Sequence, residues 1–212
     1  MNRSRIIGCD RLDVARQTAQ AARGFSLIEL LIVMALIAVV SAMAVPMSSS
    51  TLASFRLSGD ARGVQSAMSL AKLRAASDFT RGRLYVDRAA RSFRVETWQK
   101  TAATWTTISG TTNLASNNTF GFGVVGTPPP NSQNVIAQAP LCADNAGTAI
   151  ANTACVLFNS RGIPVDAAGA PTASDAVYVT DGTAVYGVTL SATGLMRVWL
   201  TRAADPPVWL VQ

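Results

Sequence analysis

One carboxylate stands inside a long apolar run. From 25 to 45 the only residues that are not apolar are Ser26, Glu29 and Ser41. A charge in such a segment costs about 2.5–3.5 kcal/mol on insertion scales, and its presence signals a function and a partner. Glu29 lies near the end of the run, where snorkelling lowers that cost. Its own segment offers no cation. A cut between Gly24 and Phe25 would create one, the new α-amine of Phe25. Two unit charges about 4 Å apart attract by roughly 4 kcal/mol at an effective dielectric near 20.

Other chemistry is sparse. The chain has no histidine, which excludes a His-based dyad or a His metal site. There is no Walker-type loop. Gly121-Phe122-Gly123 with Gly126 imitates a dinucleotide fingerprint but lacks the strand–loop–helix context that gives such a loop meaning. Asp175 and Asp181 sit beside turns and read as turn formers. No catalytic residue, metal site or cofactor is expected, and the chain does not read as an enzyme. Of three cysteines, Cys9 precedes the apolar run. Cys142 and Cys155 form an even pair, expected to be a disulfide in an oxidising compartment. The competing reading, a metal pair, lacks further ligands. A basic cluster of Arg81, Arg83, Arg88, Arg91 and Arg94 interleaves with Tyr85, Phe93 and Trp98. Such a pattern can contact nucleic-acid backbone and bases. A solvated hairpin face near lipid phosphates is the favoured reading of the two.

The elements that must position these residues follow from periodicity. Residues 25–45 are long enough to cross a hydrocarbon core of about 30 Å at 1.5 Å per residue. The segment before them carries five arginines against two aspartates, which keeps the N-terminus cytoplasmic by the positive-inside rule. A secretory signal is cut after its apolar region; a cut between Gly24 and Phe25 would instead precede the run and leave the helix in place. Beyond Pro46, Leu52 and Phe55, then Ala61, Val64, Met68, Ala71, Ala75 and Phe79, recur at three and four, the mark of an amphipathic helix. After Gly82 the period becomes two. Strands are expected at 83–87, 92–98, 105–108, 120–125, 155–159, 176–180, 183–191, 195–200 and 208–211, with a hairpin at Asp181-Gly182. The expected fold is α+β. A long N-terminal helix, transmembrane in its first half, packs on a C-terminal antiparallel β-sheet domain. The division is a leader at 1–24, a transmembrane helix at 25–46, its amphipathic continuation at 47–81 and a β domain at 82–212.

Gly24-Phe25-Ser26-Leu27-Ile28-Glu29-Leu30-Leu31 resembles the processing signature of type IV prepilins and type II secretion prepseudopilins. The resemblance implies cleavage after Gly24 by a prepilin peptidase, N-methylation of Phe25, and an assembly role for Glu29 against a neighbour's terminal amine. Pro46 sits where many family members kink the helix. The partners implied are other pilin or pseudopilin subunits, the peptidase and an inner-membrane assembly platform. The protein would be single-pass in the inner membrane, its β domain periplasmic. The passages 70–86, Phe158-Asn159-Ser160-Arg161-Gly162 and Ala192-Thr193-Gly194 with Arg197 more loosely resemble the GspH/FimT branch of minor pseudopilins and pilins. That implies a minor pseudopilin of a type II secretion system, joining or priming a periplasmic filament. The alternative is a FimT-like minor pilin, with Arg81, Arg83 and Arg197 touching DNA. The turn at 194–197 has one arginine where the DNA-binding pattern has two.

Overall fold

The structure, a computed structural model, describes residues 24–212, with the backbone alone at 43–50. Most of the expected leader, including Cys9, lies outside the described residues. The chain divides into two compact units, 1–46 and 47–212. Helix α1, Leu27–Ser77, contributes to both. Its backbone is helical through Pro46.

In the first unit every described side chain is exposed, with Phe25 at 81% and Leu27 at 79%. Among the described residues no helix is long and apolar enough to cross a membrane. The side chains described at 27–42 account for about 24 Å of helix at 1.5 Å per residue, against a hydrocarbon core of about 30 Å. The expected continuation at 43–45 falls where side chains are not described.

In the second unit α1 is the spine. Leu57, Ala61, Val64, Met68, Ala71 and Ala75 are buried at 1% exposure or less. Their spacing alternates four and three, so they line one stripe of the helix. Leu52, Phe55 and Phe79, expected on that stripe, are exposed instead. Phe55 lies six residues before Ala61, which at 100° per residue puts it about 120° away. Leu57, four residues before Ala61, occupies the inward position.

Two antiparallel sheets cover the stripe. One runs β3-β2-β1-β6-β7, with β4 also on β2. Its strands are β1 Gly82–Asp87, β2 Ser92–Gln99, β3 Thr104–Thr107, β4 Thr112–Asn113, β6 Thr153–Phe158 and β7 Pro164–Val165. The other runs β11-β10-β9-β8-β5. It comprises β5 Thr119–Phe120, β8 Ala176–Thr180, β9 Ala184–Leu190, β10 Met196–Arg202 and β11 Leu210–Val211. Leu84, Val86, Val95, Val156 and Phe158 from the first sheet meet Val177, Val179, Val188 and Val198 from the second in one core with the helix.

The expected hairpin at 83–98 forms, pairing Gly82 with Thr97 through Asp87 with Ser92. That at Asp181-Gly182 forms too, with Gly182 at φ 89° and the Asp181 carboxylate accepting from the N–H groups of Thr183 and Ala184 at 2.8 and 2.9 Å. The expected strand at 120–125 ends at Phe120. Two backbone approaches set the helix on the sheets. A Cβ at Gly82 would lie 2.5 Å from the Ala71 carbonyl oxygen. Lys72 donates to the Gly194 carbonyl at 3.0 Å, and its stem lies over Gly162, 3.2 Å from where a Cβ would stand. The motif glycines Gly162 and Gly194 thus serve the docking of the helix.

Candidate functional site

The residues expected at the N-terminal site fall at the helix start. Ser26 caps it: the Glu29 N–H donates to the Ser26 hydroxyl oxygen at 3.1 Å, and the Leu30 N–H to the Ser26 carbonyl at 3.1 Å. Ser26-Leu27-Ile28-Glu29 is therefore a Ser-x-x-Glu capping sequence, with the acid at the third helical position. That signal was present in the sequence and is a structural role which the membrane argument did not reveal. The carboxylate also stands at the positive end of the helix macrodipole. Among the described residues Glu29 has no ion pair. Among the described residues nothing lies within 4 Å of where a Cβ on Gly24 would be. The described residues thus supply no steric reason for a glycine there. Phe25 beside it is exposed.

The second group lies on β1, β2 and β3. Arg83 is 4% exposed. Its Nε donates to Glu96 at 2.6 Å, and its terminal nitrogen to the Ala143 carbonyl at 2.6 Å. Arg94 donates to the other Glu96 oxygen at 2.7 Å. One carboxylate thus takes two guanidiniums, and burial pushes the Arg83 pKa down while Glu96 opposes that. The guanidiniums also alternate with rings. Arg81 lies over Trp98 and Trp105 at 4.9 and 5.7 Å. Arg83 lies over Trp105 at 4.0 Å and Arg94 over Tyr85 at 3.8 Å. This is a cation–π ladder built by strand alternation, since Arg83 pairs with Glu96, Tyr85 with Arg94 and Trp98 with Trp105. A guanidinium committed in this way is not free for a phosphate. Arg81 and Arg83 share a cavity of about 220 Å³. The structure does not bring Arg197 to them. It is exposed on β10 and lines a separate cavity beside Asn131 and Trp199.

Cys142 and Cys155 form a disulfide, packed against Tyr85, Ile150 and Leu157. It fixes the loop that supplies the Ala143 carbonyl to Arg83 and the Asn145 side chain to the Trp105 N–H at 3.0 Å. Sequence reading expected the pair, but it did not foresee that the loop would complete the Arg83 site. Asp175, expected in a turn, is 9% exposed and accepts from the Thr172 hydroxyl at 2.9 Å. Burial pushes its pKa up. Among the described residues no group of three or more His, Cys, Asp and Glu side chains could hold a metal ion.

Comparison with known proteins adds three findings. Residues 20–45 match the prokaryotic N-terminal methylation motif. The chain therefore carries that signal, over the stretch where the helix cap and the open Gly24–Phe25 junction lie. Two solved structures of the minor pseudopilin EpsH from the type 2 secretion system of Vibrio cholerae resemble the fold. One is 10% identical, covering 74% of this chain and 96% of that one at a TM-score of 0.35. The other is 12% identical, covering 68% and 92% at 0.41. At those scores the likeness carries no part of the functional reading. No curated protein sequence matches the chain.

Proposed function

We propose that the chain is a minor pseudopilin of a type II secretion system. It is cut after Gly24, methylated on Phe25, held in the inner membrane by 25–45, and assembled into a periplasmic filament with other subunits. The match of residues 20–45 to the methylation motif carries this reading. The glycine supports it, because a glycine that the described residues do not require is explained by an outside reader, the peptidase. The oxidised cysteine pair accords with a domain outside the cytoplasm.

The test is the mature N-terminus, read by mass spectrometry of the chain purified from cells holding the secretion machinery. Phe25 bearing one added methyl group is expected, with Gly24→Ala leaving the leader in place. A mature chain that starts elsewhere would refute the processing claim. Incorporation into filaments beside wild type, followed by crosslinking, tests the assembly role of Glu29.

A further inference from the structure

The end of α1 carries a residue that its backbone does not suit. The Thr80 N–H donates to the Ala75 carbonyl at 3.1 Å and the Phe79 N–H to the Ala76 carbonyl at 3.4 Å, the paired bonds of a Schellman helix end. That motif puts one residue in the left-handed region, where glycine is usual because a Cβ is disfavoured. Here the residue is Phe79, at φ 48°. Its ring gains no burial in exchange, being 75% exposed. A strained residue that the fold does not otherwise use points to a function.

The surroundings narrow that function. Phe79 lines a cavity of about 350 Å³ with Arg81, Trp98, Lys100, Asn159 and Ser160. Arg83 and Arg94 give N–H groups to Glu96. Arg81 differs: it lies over Trp98 and Trp105 and has no ion pair among the described residues. A guanidinium held over rings keeps its in-plane N–H groups for a carboxylate, which it can grip bidentately. The Lys100 ammonium donates to the Phe79 carbonyl at 2.6 Å. The turn that displays the ring therefore also fixes a second cation, which has further N–H groups to give. No acid is among the described residues that line the cavity; Asp78, next along the chain, accepts from the Ser77 hydroxyl at 2.9 Å.

Two cations beside two aromatic rings fit a carboxylate next to an apolar group. Tryptophan and arginine are also the residues that dominate protein interfaces. A nucleic acid needs a run of phosphate contacts, and the guanidiniums that would extend the run along β1 and β2 are those of Arg83 and Arg94, held by Glu96.

We propose that the Phe79 turn docks another protein chain, through a segment with an Asp or Glu side chain beside an apolar one. The carboxylate lies between Arg81 and Lys100, and the apolar side chain packs on the Phe79 and Trp98 rings. This surface lies wholly in the second unit and depends neither on cleavage at Gly24 nor on the membrane reading of 25–45.

Freshly broken cells that make the full chain at its native level are treated with a water-soluble carbodiimide, which joins an amine to a contacting carboxylate as an amide. Peptide mass spectrometry then reads the joined residues. Lys100 should be joined to an Asp or Glu of a different protein, and three variants decide what that contact means. Arg81→Gln should lower the yield by roughly fivefold, the size of one exposed ion pair. Phe79→Gly should lower it too while raising the melting temperature, because glycine suits the turn. Arg81→Glu should abolish co-purification of the identified partner, and lysine in place of the partner's joined carboxylate should restore it. Lys100 joined to nothing, or only to carboxylates of this chain or of a second copy, would overturn the proposal. So would a partner that the charge exchange does not restore, or one released by nuclease, which would assign the surface to nucleic acid. A lower melting temperature for Phe79→Gly would overturn the anchor role and make the ring a structural residue.

Discussion

Glu96 shows what one side chain can decide. It is 4% exposed and takes hydrogen bonds from both Arg83 and Arg94. Removing one partner of a buried pair leaves an uncompensated charge, which costs about 3–5 kcal/mol. Glu96→Leu alone should therefore cost several kcal/mol in urea unfolding of the 47–212 fragment. Adding Arg83→Met should restore much of the loss; strict additivity in that double-mutant cycle would contradict the pairing. Asp175 is a second case. Its folded pKa is raised, chiefly by burial, so the protonated form is the one the fold favours. The associated stability is complete below the unfolded pKa and is lost as pH rises through the folded value. Asp175→Asn should therefore gain on wild type in melting temperature between pH 3 and pH 7; a constant difference would count against it. Asp181 runs the other way. Burial pushes it up, but the N–H groups of Ala184 and Thr183 outweigh that and hold it low.

At the scale of elements, glycine contacts and a crosslink fix the second unit. Alanine at Gly82 would place its Cβ 2.5 Å from the Ala71 carbonyl oxygen, a backbone atom that cannot turn aside. Overpacking of this kind costs about 1–3 kcal/mol, and Gly82→Ala should lower the urea midpoint accordingly, whereas Gly59→Ala, in open space on the helix, should not. The disulfide closes a loop of sequence separation 13. Loss of a crosslink across about 15 residues costs about 3 kcal/mol in the chain-entropy model. Cys142→Ser with Cys155→Ser should lower stability by that order and expose Trp105, read as a red shift in its fluorescence. Periodicity made the elements legible: α1 and both hairpins were expected within a few residues of their observed bounds. Phe55 was misplaced because an irregular apolar spacing does not state its phase, and only the sheets select Leu57 over it.

For the whole molecule, the described core of the second unit draws on α1 from Leu57 onward and on both sheets. The fragment 47–212 should therefore fold alone, with a cooperative thermal transition; its absence would mean that the first unit is required. The N-terminal site allows its two roles to be separated in the full chain. Ser26→Ala removes the cap, at about 1 kcal/mol of helix stability, while keeping the charge. Glu29→Gln keeps the backbone donor to Ser26 and removes the charge. If Glu29 pairs with a neighbour's amine, Glu29→Gln should impair filament incorporation and Ser26→Ala should do so much less. Equal losses would make capping the sufficient explanation.

The order of residues alone determined the apolar run, its lone carboxylate, the Gly24–Phe25 junction, the cysteine pair and the change of period at Gly82. These are local patterns, readable because helix and strand periods and charge costs act over a few neighbours. Only the tertiary structure decided that Arg83 turns inward rather than toward a ligand, because the Ala143 carbonyl that completes the site around the Arg83–Glu96 pair arrives from a distant segment. It also decided that the motif glycines at 162 and 194 seat Lys72. Ser26 shows the boundary between the two. Its capping pattern lies within four residues and could be read locally, while the absence of an ion pair for Glu29 among the described residues is a fact of three-dimensional surroundings. The physical reason is the same throughout: short-range periodicity is written along the chain, but burial and pairing depend on which distant segments meet.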